Sequence, residues 1–120
     1  MKKKKVLVIE DDQHINLLIS DNLESAGYEV SSVFNGEEGV QRALYDIPDL
    51  IILDFLLPRM DGRYVCRRLR DAGSPARGIP IIIVSIMNKD MGLTDKGMGS
   101  ITVMNKPFEV TVLLVEVKKC

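Results

Sequence analysis

Three carboxylates, one hydroxyl and one lysine stand where this sequence could do chemistry. Glu10 and Asp11 directly follow the first apolar run of the chain, and Asp54 ends another such run. Ser85 ends a third apolar run, and Lys106 comes shortly after a fourth. If each run is a strand of one parallel sheet, these side chains meet beyond the carboxyl ends of the strands, where open parallel sheets bind ligands.

The acidic residues Glu10, Asp11 and Asp54 would repel one another in such a cleft. At 4 Å and an effective dielectric of 20, each like-charged pair costs roughly 4 kcal/mol. A hard divalent cation relieves this repulsion, and oxygen-only ligands favour Mg²⁺ or Mn²⁺ over zinc. Lys106 adds a compact positive charge that could pair with Asp54 or with a phosphoryl group. The Ser85 hydroxyl can donate a hydrogen bond to a phosphoryl oxygen.

Each of these residues also has a simpler interpretation. An acidic residue after a strand is often the N-cap of the next helix, which fits Asp11 or Asp12. Asp54 alone could be a turn residue, Ser85 a polar strand end and Lys106 a surface lysine. We favour a shared site because all of them fall at the same predicted edge of the sheet.

The elements that must position these residues alternate along the chain. Buried or alternating apolar runs predict five strands, and helical spacing of apolar residues predicts five helices. The predicted strands are 6–9, 28–33, 50–53, 81–84 and 101–104. The predicted helices follow Asp12, span 37–45, follow Gly62, span 87–99 and span 107–119. This order predicts an α/β fold with a doubly wound, five-stranded parallel sheet and helices on both faces.

The composition is typical of one domain, 1–120, with a core of its own. The chain has 120 residues, of which 46% are hydrophobic, and a net charge of -1, so the overall balance does not indicate nucleic-acid binding. Cys66 and Cys120 lack metal-ligand spacing, which predicts a reduced intracellular protein without disulfides. No run is long enough for a signal peptide or a membrane span. We therefore expect a cytoplasmic protein.

Three segments together resemble the receiver domains of two-component response regulators. Residues 53–62, LDFLLPRMDG, are similar to the family's stretch around its phosphorylated aspartate. Residues 8–12, VIEDD, resemble its acidic opening, and residues 105–108, NKPF, resemble its lysine-proline motif. The resemblance covers the whole chain and implies the flavodoxin-like form of the doubly wound fold.

The resemblance also implies a role for each site residue. Asp54 would accept a phosphoryl group from a sensor histidine kinase, Ser85 would sense that group and Lys106 would contact it. The Lys106–Pro107 peptide bond would be cis. The implied ligands of the Mg²⁺ are Glu10, Asp11, Asp54 and the backbone carbonyl of Leu56. The domain would be a phosphoacceptor and not an enzyme, with at most slow autodephosphorylation.

Phosphorylation would bias a two-state surface made by the fourth helix, the fifth strand and the fifth helix. A downstream protein or an output domain would bind this surface, without direct contact to nucleic acid or membrane. Val112 and Val115 lie beside the core stripe of the fifth helix. They are either two scattered exposed valines, which are common, or a patch for a homodimer or partner.

Other functions fit the residues less well. A pseudo-receiver that binds proteins without phosphorylation is favoured slightly by Ile86, by Val103 in place of the family's switching aromatic, and by glycines in the fourth helix. The presence of Glu10, Asp11, Asp54 and Lys106 argues against a pseudo-receiver. An aspartyl-phosphate phosphatase usually needs a second carboxylate two residues after the nucleophile, and Leu56 stands there. A nucleotide-binding domain lacks a glycine-rich fingerprint after the first strand.

We predict that Ile86→Ala loses its phosphoryl group faster than the parent chain. The residue after Ser85 is usually small in the family, so Ile86 should crowd the phosphoryl site or its access to water. Intact mass, followed over time after removal of the phosphodonor, measures the loss. Equal or faster loss from the parent would contradict this.

Overall fold

The computed structural model describes residues 2–57, 60–71, 73–85 and 101–120. In chain order the elements are β1 (Lys5–Ile9), α1 (Gln13–Ser25), β2 (Glu29–Val33), α2 (Gly36–Asp46), β3 (Leu50–Asp54), β4 (Leu56–Leu57), β5 (Met60–Asp61), α3 (Gly62–Arg70), β6 (Ile81–Ser85), β7 (Ile101–Asn105) and α4 (Val110–Lys118). Within these ranges, no helix has the length and apolar character that crossing a membrane requires. The cytoplasmic location stays a prediction.

Five strands form one parallel sheet in the order β2-β1-β3-β6-β7. The chain runs from β1 to its neighbour β2 and then crosses to β3 on the other side of β1. The boundary between β1 and β3 is therefore the topological switch point, where doubly wound sheets open a crevice at the carboxyl ends of the strands. Glu10 follows β1 and Asp54 ends β3, so both acidic positions lie at this crevice.

The sheet separates two apolar layers. Alternate residues of each central strand point to opposite faces, which is why these strands are apolar throughout. One layer packs under α2 and α3, and its buried members include Leu7, Ile9, Val40, Ala43, Val65, Cys66 and Leu69. The other packs under α1 and α4, and its buried members include Val6, Val8, Ile19, Leu23, Leu113 and Val117.

Three of the helices are capped at their N-terminus by the side chain of the residue that precedes the helix. Asp12 accepts hydrogen bonds from the backbone N–H groups of His14 and Ile15 at the start of α1. Asn35 and Asp61 cap α2 and α3 in the same way. These short polar side chains satisfy backbone donors that a helix leaves unpaired in its first turn.

The predicted fold class and the five strands are confirmed. The predicted fourth helix, 87–99, and Ile86 lie outside the described residues, which contain four helices. The last helix begins at Val110, not at Pro107 as predicted. The two-residue strands β4 and β5, which pair antiparallel, were not predicted. A two-residue ladder has no periodicity that a sequence could display.

Gly62 fits closely against the segment that follows Asp54. Its N–H donates to the carbonyl oxygen of Phe55 at 3.1 Å. A Cβ added at Gly62 would lie 2.8 Å from both the Cα and the carbonyl oxygen of Phe55. Backbone atoms cannot rotate away as a side chain can, so only glycine allows the start of α3 to approach the end of β3 so closely.

We predict that Gly62→Ala lowers the free energy of unfolding by about 1–3 kcal/mol, the usual range for overpacking. Urea unfolding followed by circular dichroism measures the change. Gly78→Ala is the matched control, because an added Cβ there meets nothing within 4 Å. We expect Gly78→Ala to be neutral or slightly stabilising. Similar losses in both variants would contradict the packing explanation.

Candidate functional site

The three predicted carboxylates come together at the switch point. One oxygen each from Glu10, Asp11 and Asp54 lies within 4.8 Å of the other two. Glu10 and Asp54 are 2% and 5% exposed, whereas Asp11 is exposed. Two carboxylates of the cluster are thus buried and the third is exposed, so a cation or an anionic group could reach the cluster from solvent.

Lys106 provides the positive charge at this cluster. Its Nζ lies 2.9 Å from Glu10 Oε1 and 3.5 Å from Asp54 Oδ2. The sequence predicted a lysine partner for Asp54 or a phosphoryl group, but the shorter contact is to Glu10. One ammonium group therefore compensates two buried carboxylates, each of which would cost several kcal/mol if buried alone.

The surroundings of Lys106 favour its charged form. Burial by itself lowers the pKa of Lys106, but the hydrogen bond to Glu10 and the negative charges of Asp54 and Glu10 outweigh burial and raise it. Because the pKa in the folded chain is above the ordinary lysine value, the stabilisation is fully present at neutral pH. It is lost only as the pH rises through the raised folded pKa.

Backbone pairing between β6 and β7 places Lys106 and Ser85. Ser85 pairs in register with Asn105, and the N–H of Lys106 donates to the carbonyl oxygen of Ser85 at 2.7 Å. Ser85 is fully buried and lies one residue beyond Val84, the register partner of Asp54. The Lys106–Pro107 bond is cis, as the resemblance implied.

The remaining predicted ligand is the backbone carbonyl of Leu56. Leu56 lies two residues after Asp54, in β4, where its backbone pairs with Asp61. The segment is therefore held at the same edge of the sheet. A role of this carbonyl in metal binding stays a prediction.

The sequence patterns missed one buried position of α1, close to the acidic turn formed by residues 10–12. The helical spacing of the apolar residues Ile15, Leu18, Ile19, Leu23 and Ala26 predicts that Leu18 faces the core, but it is 48% exposed. Asn16 and Ser20 are buried instead, on the same face as Ile19 and Leu23. The available signal was the spacing of Asn16, Ser20 and Leu23, which also fits one face of a helix. This spacing did not indicate the buried face, because such a face is recognised from apolar residues and both Asn16 and Ser20 are polar.

Comparisons with known proteins identify the family of this chain. The model of the response regulator receiver domain family matches residues 6–118, and the chain belongs to this family. It is 38% identical over 118 residues to the DNA-binding dual master transcriptional regulator RpaA of Synechocystis sp., covering 95% of this chain and 47% of RpaA. It is 35% identical over 119 residues to the alkaline phosphatase synthesis transcriptional regulatory protein PhoP of Bacillus subtilis, covering 96% and 47%.

Solved structures show the same architecture. The chemotaxis response regulator CheY4 of Vibrio cholerae superposes with a TM-score of 0.86 at 27% identity, over 98% of both chains. A putative response regulator from Chloroflexus aurantiacus gives 0.84 at 32% identity, over 98% of this chain and 97% of that one. The chain spans about half the length of the curated relatives named above. The chain is a receiver domain of the two-component type, and the receiver domains are a family of signalling phosphoacceptors.

We predict that Lys106→Met lowers the free energy of unfolding by about 2–3 kcal/mol at neutral pH without divalent cations. Removing one partner of a buried ion pair costs roughly 3–5 kcal/mol, and the Lys106 side chain is 16% exposed, so we expect a somewhat smaller loss. Urea unfolding measures it.

Lys119→Met is the control for this substitution. Lys119 pairs with Glu116 at 3.2 Å, but its side chain is 66% exposed, and an exposed pair contributes at most about 1 kcal/mol. The difference between the parent and Lys106→Met should disappear as the pH rises through the raised pKa of Lys106. Equal losses in the two lysine variants at neutral pH would contradict the prediction.

Proposed function

We propose that Asp54 accepts a phosphoryl group from a sensor histidine kinase and that the acidic cluster holds the Mg²⁺ or Mn²⁺ that this reaction needs. The proposed ligands are Glu10, Asp11, Asp54 and the backbone carbonyl of Leu56. The observation that carries the proposal is the convergence of three carboxylates within 4.8 Å beside the ammonium group of Lys106.

The donor set suits a hard cation. Carboxylate and carbonyl oxygens are the ligands that Mg²⁺ prefers, and Mg²⁺ usually takes only a few of them from the protein. When bound, the cation would neutralise charge on the phosphoryl oxygens and draw them toward the carboxylates. The exposed position of Asp11 leaves the open side of the cluster to water and to the phosphodonor.

The contacts of Glu10 fit a supporting role beside the proposed acceptor, Asp54. Glu10 Oε1 accepts from Lys106 Nζ at 2.9 Å, and Glu10 Oε2 accepts from the N–H of Asp12 at 3.2 Å. Both carboxylate oxygens of Glu10 thus accept hydrogen bonds, which fits a residue that holds Lys106 and the backbone of Asp12 in place. Asp54 lies at the end of the central strand β3, and its Oδ2 is 3.5 Å from Lys106 Nζ.

The transfer is a substitution at phosphorus. A carboxylate oxygen of Asp54 attacks in line, the new P–O bond forms as the P–N bond to the kinase imidazole breaks, and the imidazole keeps the electron pair and takes up a proton. Lys106 pairs with the phosphoryl oxygens, and the Ser85 hydroxyl donates a hydrogen bond to one of them. Water later hydrolyses the acyl phosphate, so the domain acts as a phosphoacceptor with at most slow autodephosphorylation.

Phosphorylation would change the surface that a partner binds, of which β7 and α4 are the described part. Val103 on β7 is 46% exposed, and Val112 and Val115 on α4 are 49% and 55% exposed. Exposed apolar side chains on the two elements that flank Lys106 suit a downstream protein, an output domain or a second copy of the chain. We propose this use for residues 1–120 as a single receiver domain.

We predict that the parent chain gains one phosphoryl group from acetyl phosphate when Mg²⁺ is present, and none after chelation. Asp54→Asn should gain none, because an amide oxygen is a far weaker nucleophile than a carboxylate. Intact-mass spectrometry measures the product. Asp21→Asn, which changes an exposed aspartate of α1, is the control and should behave as the parent. A mass gain in Asp54→Asn equal to that of the parent would sink the proposal.

A further inference from the structure

A buried amide in α1 joins the ends of two strands at the site. Asn16 is 2% exposed. Its Nδ2 donates to the backbone carbonyl oxygen of Glu10 at 3.0 Å and to that of Val33 at 3.1 Å. Both acceptors lie at the carboxyl ends of their strands, β1 and β2, next to the acidic turn.

These bonds hold the peptide unit that carries the acidic pair. The carbonyl of Glu10 belongs to the planar peptide bond between Glu10 and Asp11. Asn16 holds this carbonyl, while the N–H of Glu10 donates to the carbonyl oxygen of Val33 at 3.2 Å. A change in ψ of Glu10 or in φ of Asp11 would alter the direction of one carboxylate relative to the other, so the amide of Asn16, by holding the carbonyl between them, restrains their arrangement.

The orientation of the amide is determined by its partners. Carbonyl oxygens can only accept, so the NH₂ group of Asn16 must face Glu10 and Val33. Its Oδ1 accepts from the Ser20 hydroxyl at 3.1 Å, and the Ser20 and Ser32 hydroxyls are 2.7 Å apart. All of these polar groups are thereby satisfied, as burial requires.

Packing alone does not account for Asn16. Asparagine is a weak helix former, and a buried amide costs free energy unless it is hydrogen-bonded. The contact between Ser20 and Ser32 already links α1 to β2. Asn16 differs from Ser20 in that one of its hydrogen bonds ends on the backbone of Glu10, directly at the carboxylate cluster.

We infer that Asn16 is a positioning residue for the metal site, holding Glu10 and Asp11 in the arrangement that a small divalent cation needs. The inference rests on the proposed function, since it assigns a role toward the proposed cation. Mg²⁺ requires near-octahedral ligands at short distances, whereas Ca²⁺ accepts more flexible and varied geometry. Loosening the acidic turn should therefore weaken Mg²⁺ binding more than Ca²⁺ binding.

The test measures the affinities of Mg²⁺ and of Ca²⁺ for the full chain by isothermal titration calorimetry. We expect Asn16→Leu, which has a similar size but no donor, to weaken Mg²⁺ binding by about ten- to one-hundredfold, the range seen when groups that orient metal ligands are removed. The ratio of Mg²⁺ affinity to Ca²⁺ affinity should fall. Asn16→Ser, whose hydroxyl stops short of both carbonyl oxygens, should act in the same direction.

Ser20→Ala is the matched control. It removes the hydrogen bond to Asn16 Oδ1 but leaves both bonds of Nδ2, so its affinities for the two metals should equal those of the parent. Urea unfolding of every variant, without metal, separates loss of stability from loss of affinity. A merely structural role would lower the stability of the Asn16 and Ser20 variants and leave the Mg²⁺ to Ca²⁺ ratio unchanged.

The outcomes separate this inference from the proposed function. Mg²⁺ binding by the parent with an unchanged ratio in the Asn16 variants overturns the role of Asn16 and leaves the phosphoacceptor site in place. A parent chain that does not bind Mg²⁺ overturns both. If neither Asn16 variant folds while Ser20→Ala does, the side chain serves the whole fold, and the specific assignment is overturned.

Discussion

Repulsion among three carboxylates, balanced by one lysine, is the constraint on which this structure depends. Glu10 and Asp54 are buried beside each other, and water cannot screen them as it screens surface charges. Lys106 lies within ion-pair distance of both. Lys106 therefore offsets the repulsion between the two buried carboxylates, and the oxygen cluster that results could hold a further cation.

The parallel sheet determines where the three carboxylates and the lysine lie. Glu10 and Asp11 follow β1, and Asp54 ends β3; these two strands pair in parallel. Lys106 follows β7, the edge strand on the far side of β6. Because parallel strands end at one edge, residues more than forty positions apart in the chain become neighbours. The close approach of Gly62 to Phe55 and the buried amide of Asn16 then restrict the two segments that carry the acidic residues.

Lys106 also connects the site to a surface. Its backbone is joined to the end of β6 through the carbonyl oxygen of Ser85, and its side chain reaches Glu10 and Asp54. Any group that competes for the ammonium changes the balance of charge at the end of β7. Under the proposed function, a phosphoryl group on Asp54 would be such a competitor and would bias the neighbouring surface through a local electrostatic change.

Much of this was determined by the sequence itself. The apolar runs that lead into Glu10, Asp54 and Ser85 mark buried parallel strands, because such strands lack alternation and place their polar ends at one edge. The run before Lys106 is also a strand of this sheet, but it lies at the edge and is partly exposed. The tertiary structure alone decided which face of α1 is buried, so that Asn16 replaces Leu18 inside, and that Lys106 lies closer to Glu10 than to Asp54. These features depend on the rotation of a helix and on differences of less than an ångström between side chains, which local periodicity does not specify.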